Sequence, residues 1–388
     1  MTLNVLLVSS KYSPEYSGSG FRAENTYKFL KNRYDLKYFV VANSVIFQDN
    51  KYYNDVYRIG RRYDIDGANK FKKPFFILFN LIREFYYSYK FVRERYKEFD
   101  LVHTFGGSWS VVFITLYFGF KGKPVIRELC NVVDNPGYPF GFSTVTNFFL
   151  KKENSLTVAI SKQLNDVCIK YKIKNIWHRI NPVNADKFFP VDSCVKYALR
   201  TQFTKFSNKD IVLVHCASFM KRKNHIFLLE VLEKLPYRYK LLLAGPAGNV
   251  DCDSSLIELK NAIFSKGLGD RVDLQSGFIE NIDDYMKLSD VFMFPTYFEG
   301  LGTPVLEAQA CGIPVVANLM KGVTDITIKY GVGGLYSSLD SDLFAANVVE
   351  SLSISSDVLR KNAMEIVNNN STIDNYEYYY SKLKELTK

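Results

Sequence analysis

The stretch "FPTYFEGLGTPVLEAQACGIPVVA", residues 294 to 317, places two carboxylates, Glu299 and Glu307, eight positions apart in an otherwise apolar run. A carboxylate beside glycines suits the recognition of a polyhydroxylated ligand, because it accepts paired hydrogen bonds from a diol. Gly300 and Gly302 let backbone amides approach a phosphate or sugar closely, and Leu301 and Thr303 complete the loop. A second chemical group lies upstream in "ASFMKRKNH", where Arg222 and Lys223 offer two fixed cations for an anion. Each group also has a plain structural reading: Glu307 as a capping or solvating residue, and the basic triplet as a solvated turn.

Positioning such groups requires a scaffold, and the pattern of the chain supplies one. Short apolar runs alternate with helical periodicity throughout, as in parallel α/β sheets. The expected strands of the first half are 4–9, 36–42, 101–104, 124–129 and 156–161, with helices at 20–31 and 74–97. Those of the second half are 210–217, 240–245, 271–277, 291–295 and 313–317. Between the last two, Thr303 and Pro304 read as an N-cap and first helical residue, and Gly312 as a stop, giving a helix over about 304–311. Glu299 then falls at the carboxyl end of a strand, where open α/β sheets bind ligands. At 388 residues the chain fits two such domains. The expected division is 1–183 and 184–369, joined through the proline-broken segment 182–190, with a last helix near 370–388 free to pack back on either domain, the first included.

The stretch 294–317 resembles the E-x7-E motif of the retaining GT-B glycosyltransferases of family 4. The similarity continues through "LLLAGPAG", "LGDRVDLQSGFIENIDDYMKLSDVFMF" and "GVGGLY", covering most of 205–340. It is weaker in the first half, through "SPEYSGSG", "LVHT" and "INPVNADKF". The resemblance implies two Rossmann-like doubly wound domains facing each other across a cleft, with the acceptor held by the first and a nucleotide-sugar donor by the second. It also implies roles. Glu307 would bind the ribose and Glu299 the hydroxyls of the transferred sugar, with the backbone of Gly300, Leu301, Gly302 and Thr303 facing sugar and diphosphate. Lys223 and the adjacent Arg222 would hold the diphosphate and, with Glu299, form the catalytic set. Gly18 and Gly20, after the first strand, would face diphosphate or acceptor, and Phe278 the nucleobase.

Two departures stand out. A Gly-Arg pair common before the lysine is replaced by Cys216-Ala217-Ser218, leaving charge neutralisation to Arg222 and Lys223. A histidine common after the strand "KPVIREL" is replaced near Cys130, with Arg127, Glu128 and His103 as candidate substitutes.

No metal is expected, and no cofactor besides the donor as co-substrate. "DID" at 64–66 and "DCD" at 251–253 have the spacing of a metal-binding Asp-x-Asp but lack its strand context, and read as surface loops. The six scattered cysteines suit a reducing compartment. The first strand lacks the features of a secretory signal, and no apolar run reaches the ~18 residues of a membrane span. A cytoplasmic protein, peripheral at the inner membrane face, is expected.

Net charge is +10, and eleven basic residues against four acidic ones lie between Arg58 and Lys97. Within this region Phe75, Leu78, Ile82, Phe85, Tyr89, Val92 and Tyr96 form a helical stripe, while Arg83, Lys90 and Lys97 recur every seven. The stripe reads either as core-facing or as resting on an anionic membrane with the basic loop before it. Nucleic-acid motifs are absent. The function expected is transfer of a sugar to a glycan or lipid-linked glycan in cell-surface polysaccharide assembly. The alternatives are a noncatalytic nucleotide-sugar-binding or membrane scaffold protein, and a GT-B-fold epimerase.

Overall fold

The computed structural model describes residues 2–15, 17–43, 51–53, 56–59, 71–130, 135–137, 143–246, 250–277 and 279–388. They form two compact units, one of Met1–Ile180 with Ile373–Lys388 and one of Asn181–Thr372. Phe278, the 64–66 motif, and Arg61, Arg62 and Lys70 of the basic loop lie outside the described residues.

The first unit is built on eight strands: β1 (Leu3–Ser9), β2 (Leu36–Asn43), β3 (Lys51–Tyr53), β4 (Val56–Ile59), β5 (Leu101–Phe105), β6 (Val125–Leu129), β7 (Ser155–Ala159) and β8 (Ile176–His178). Their order is β3-β4-β2-β1-β5-β6-β7-β8, parallel except for the β3–β4 pair. β1 is apolar along almost its whole length because helices cover both faces of such a sheet. The helix Thr372–Leu386 adds Tyr376, Tyr379 and Leu383 to this core.

In the second unit the strands are β9 (Ile211–Cys216), β10 (Tyr239–Gly245), β11 (Val272–Ser276), β12 (Val291–Phe294), β13 (Val315–Asn318) and β14 (Gly334–Ser337). All pairings are parallel, in the order β11-β10-β9-β12-β13-β14. The chain winds outward from β9 in one direction and then restarts at β12 in the other. The switch point, where loops diverge and open a crevice at the carboxyl edge, is therefore between β9 and β12.

Several sequence expectations are corrected. The helix after β12 spans Thr303–Ala310, and its cap is Gly302, not Thr303. Gly302 adopts φ +77°, and its Cα packs so close to the Phe294 ring that a Cβ would lie 3.2 Å from it. The turn thus tightens one residue early. Residues 251–253 lie in the helix Val250–Ser265 rather than in a loop. In the helix Lys73–Arg95 the buried residues are Asn80, Glu84, Ser88, Phe91 and Val92. The expected core stripe is exposed from Phe75 through Tyr89.

Candidate functional site

Lys223 ends a short 3-10 turn, Lys221–Lys223, directly downstream of β9, and Asn224 reverses the chain with a left-handed φ of 58°. This turn is fastened to the loop after β12. The Tyr297 N–H donates to the Arg222 carbonyl at 3.0 Å, and Asn224 Nδ2 donates to the Pro295 carbonyl at 3.4 Å. Adjacent strands β9 and β12 thus bring together residues 76 positions apart in sequence.

Glu299 is the meeting point. Its Oε1 accepts from Arg222 Nη1 at 2.7 Å and from Lys223 Nζ, and Arg222 Nη1 also reaches the Phe298 carbonyl at 3.2 Å. Burial raises the Glu299 pKa, but Lys223 and Arg222 outweigh it and hold the carboxyl below its ordinary range. Burial likewise pulls the Lys223 pKa down, with Glu299 opposing. Beneath the turn, buried His215 donates from Nδ1 to the Met293 carbonyl at 2.8 Å. Burial lowers its pKa to about 4, so it packs as a neutral ring.

Glu307 lies on the following helix and is half-buried, with no hydrogen bond or ion pair to its carboxylate among the described residues. Burial first, and the charge of Asp283 second, lift its pKa to about 7. An acid in this state favours hydroxyl donors that compensate its ionised form. Gly300, Leu301 and Gly302 are buried, and Thr303 opens the helix. Asn181 Nδ2 donates to Thr303 Oγ1 at 2.7 Å and so fixes the N-terminal turn. Asn181 was not singled out from sequence, although it sits in the quoted "INPVN".

Gly18 and Gly20 belong to the first unit, at the start of the helix Gly18–Arg33. The Gly20 amide is taken by Ser17 Oγ at 3.0 Å, and a Cβ there would lie 2.3 Å from the Lys11 carbonyl oxygen. Gly20 is accordingly needed for packing, and its amide does not face a ligand. Gly18 has open space around it.

The candidate substitutes for the missing histidine are internal. Buried Glu128 pairs with Arg22 Nε at 2.7 Å and Arg179 Nη2 at 3.1 Å, and accepts from the Tyr379 hydroxyl at 2.7 Å. His103 lies between the hydroxyls of Tyr27, 2.8 Å from Nδ1, and Tyr379, 3.0 Å from Nε2. Burial lowers its pKa to about 3. This network ties the C-terminal helix to its sheet. Arg127 is buried as well.

Among the described residues no group of three or more His, Cys, Asp or Glu side chains is arranged to hold a metal ion, and no helix is long and apolar enough to cross a membrane.

Two α/β units of this topology define the GT-B fold. A crystal structure of Anabaena Alr3699/HepE in complex with UDP and glucose matches with a TM-score of 0.75 at 16% identity, over 98% of this chain and 99% of that one. A sucrose-phosphate synthase from Thermosynechococcus elongatus matches with 0.76 at 16%, over 99% and 98%. Residues 199–369 match the family model of glycosyl transferases group 1. It is 30% identical over 138 residues to the O-antigen chain mannosyltransferase B of Escherichia coli, covering 34% of each chain. Against the mannosylfructose-phosphate synthase of Agrobacterium fabrum it is 29% identical over 168 residues, covering 41% of this chain and 36% of that one. The aligned stretches thus span about a third of these curated relatives.

Proposed function

We propose that this chain transfers a sugar from a nucleotide-sugar donor to a glycan or lipid-linked glycan acceptor, with retention of anomeric configuration and without a metal ion. The observation that carries the reading is the convergence of Arg222, Lys223 and Glu299 at the β9–β12 switch point, with the unpaired Glu307 on the next helix. A departing nucleoside diphosphate gathers negative charge in the transition state, and preorganised cations stabilise that charge more than the ground state. Arg222 and Lys223 fill this role in place of the absent Gly-Arg pair.

In the free protein both cations rest on Glu299, whose charge opposes the downward pull of burial on the Lys223 pKa. The donor diphosphate would compete for them and leave Glu299 to accept from hydroxyls of the sugar. The ribose diol would donate to Glu307. Retention follows when the acceptor hydroxyl attacks the face that the diphosphate leaves, with the leaving phosphate taking the proton. No protein base is then required.

The relative named as an O-antigen chain mannosyltransferase supports a role in cell-surface polysaccharide assembly. The test is turnover in the presence of a chelator with UDP-glucose, GDP-mannose and ADP- and dTDP-sugars, reading nucleoside diphosphate release and, by NMR, the anomer formed. One donor consumed with retention supports the reading. An inverted product, or consumption restored only by added divalent metal, contradicts it.

A further inference from the structure

The helix Lys73–Arg95 is inside out over its first half. Its protein-facing positions there are Asn80, Glu84 and Ser88, and Glu84 accepts from the Ser110 backbone N–H at 3.0 Å and from its hydroxyl at 3.1 Å. Apolar side chains are fully buried only at Phe91 and Val92. The other side carries Phe75, Leu78, Ile82, Phe85, Tyr86 and Tyr89, with Phe75 73% exposed and Leu78 and Ile82 each 55%. At about 100° per residue these six positions share one arc about 100° wide. A continuous apolar patch of this kind on a folded surface marks an interaction site.

Charge identifies the occupant. Residues 71–97 hold seven basic side chains and two acidic ones, and one of the acids, Glu84, faces inward. Lys72, Arg83, Lys90 and Lys97 fall along one flank of the apolar arc. A second copy of the chain pairing antiparallel through this helix by two-fold symmetry would set that basic flank against itself. Anionic lipid headgroups meet both features at once, since they neutralise the flank while the acyl boundary accepts the aromatic and aliphatic arc.

The geometry points to a bilayer-docking surface: the helix Lys73–Arg95 lies in the plane of an anionic membrane, its apolar arc at the acyl boundary and its basic flank among the headgroups. This deepens the reading of a lipid-linked acceptor by giving the chain a place to meet it, and rests on that reading only for its purpose. The docking itself does not use the donor site.

The test is co-sedimentation of the full chain with vesicles of phosphatidylcholine alone or mixed with phosphatidylglycerol, at about 0.1 M salt where surface charge still acts. Wild type is expected to bind the anionic vesicles at least about tenfold better than the neutral ones. Leu78→Asp with Ile82→Asp, and separately Lys90→Glu with Lys97→Glu, are expected to lose about tenfold or more. Both pairs are on the surface, so thermal stability and donor binding should persist, which separates failure of docking from failure of the transfer reaction. Ile82→Trp provides a second readout through a blue shift of its emission on anionic vesicles. No binding to either vesicle, binding indifferent to Leu78 and Ile82, or a stable dimer broken by the same changes would overturn the proposal.

Discussion

At the scale of residues, the site works by rivalry between two anions for one pair of cations. Glu299 holds Arg222 and Lys223 in the free protein, and a diphosphate would displace it. Glu299→Gln should therefore lower turnover about a hundredfold or more, near 3 kcal/mol, while binding free nucleoside diphosphate at least as tightly as wild type. Steady-state kinetics beside calorimetry checks both halves. Glu307 gives a pH signature. Its folded pKa of about 7 lies above the ordinary carboxyl value, so the folded state holds an extra proton between roughly pH 4.5 and 7. The stability tied to that proton is full at low pH and is lost as pH rises through 7. Wild type should lose melting temperature over pH 5–8 relative to Glu307→Gln. Because a ribose diol donates to the ionised form, nucleoside affinity should rise from pH 6 to 8 with proton release, and Glu307→Gln should abolish that rise.

At the scale of elements, the loop from Tyr297 to Thr303 is held by one backbone choice. Gly302→Ala would force a left-handed residue, costing about 1–2 kcal/mol, and press a methyl 3.2 Å from the Phe294 ring. A lower melting temperature together with weaker donor binding is the expected result, read by thermal shift with and without nucleotide. Long apolar strands such as β1, β9 and β10 were legible in the sequence because both faces are covered. β3, β4, β8 and β14 were not legible, because each is three or four residues long and a polar residue or glycine breaks its apolar run, unlike the equally short β12 and β13. The helical period of residues 74–97 was equally plain, yet periodicity does not say which face is covered, and the buried one proved to be Asn80, Glu84 and Ser88. Glu299 and Lys223 stood out as residue types, but their contact comes from β9 and β12 being neighbours, which no local pattern discloses.

At the scale of the whole molecule, the chain crosses into its second unit at Asn181 and returns to the first at Ile373. The return is anchored by Tyr379, whose hydroxyl serves both Glu128 and His103. Tyr379→Phe should cost about 1–3 kcal/mol by leaving buried polar groups short of a partner, and calorimetric unfolding measures it. The donor site lies in the second unit, and calorimetric titration of wild type, Lys223→Ala and Glu307→Ala with UDP, GDP, ADP and dTDP and their sugars, without metal, tests it. We expect one nucleotide to bind wild type selectively, with binding weakened about a hundredfold by Lys223→Ala and strongly reduced by Glu307→Ala. Failure of every nucleotide to bind at millimolar concentration, or binding untouched by both substitutions, would contradict the assignment of the site.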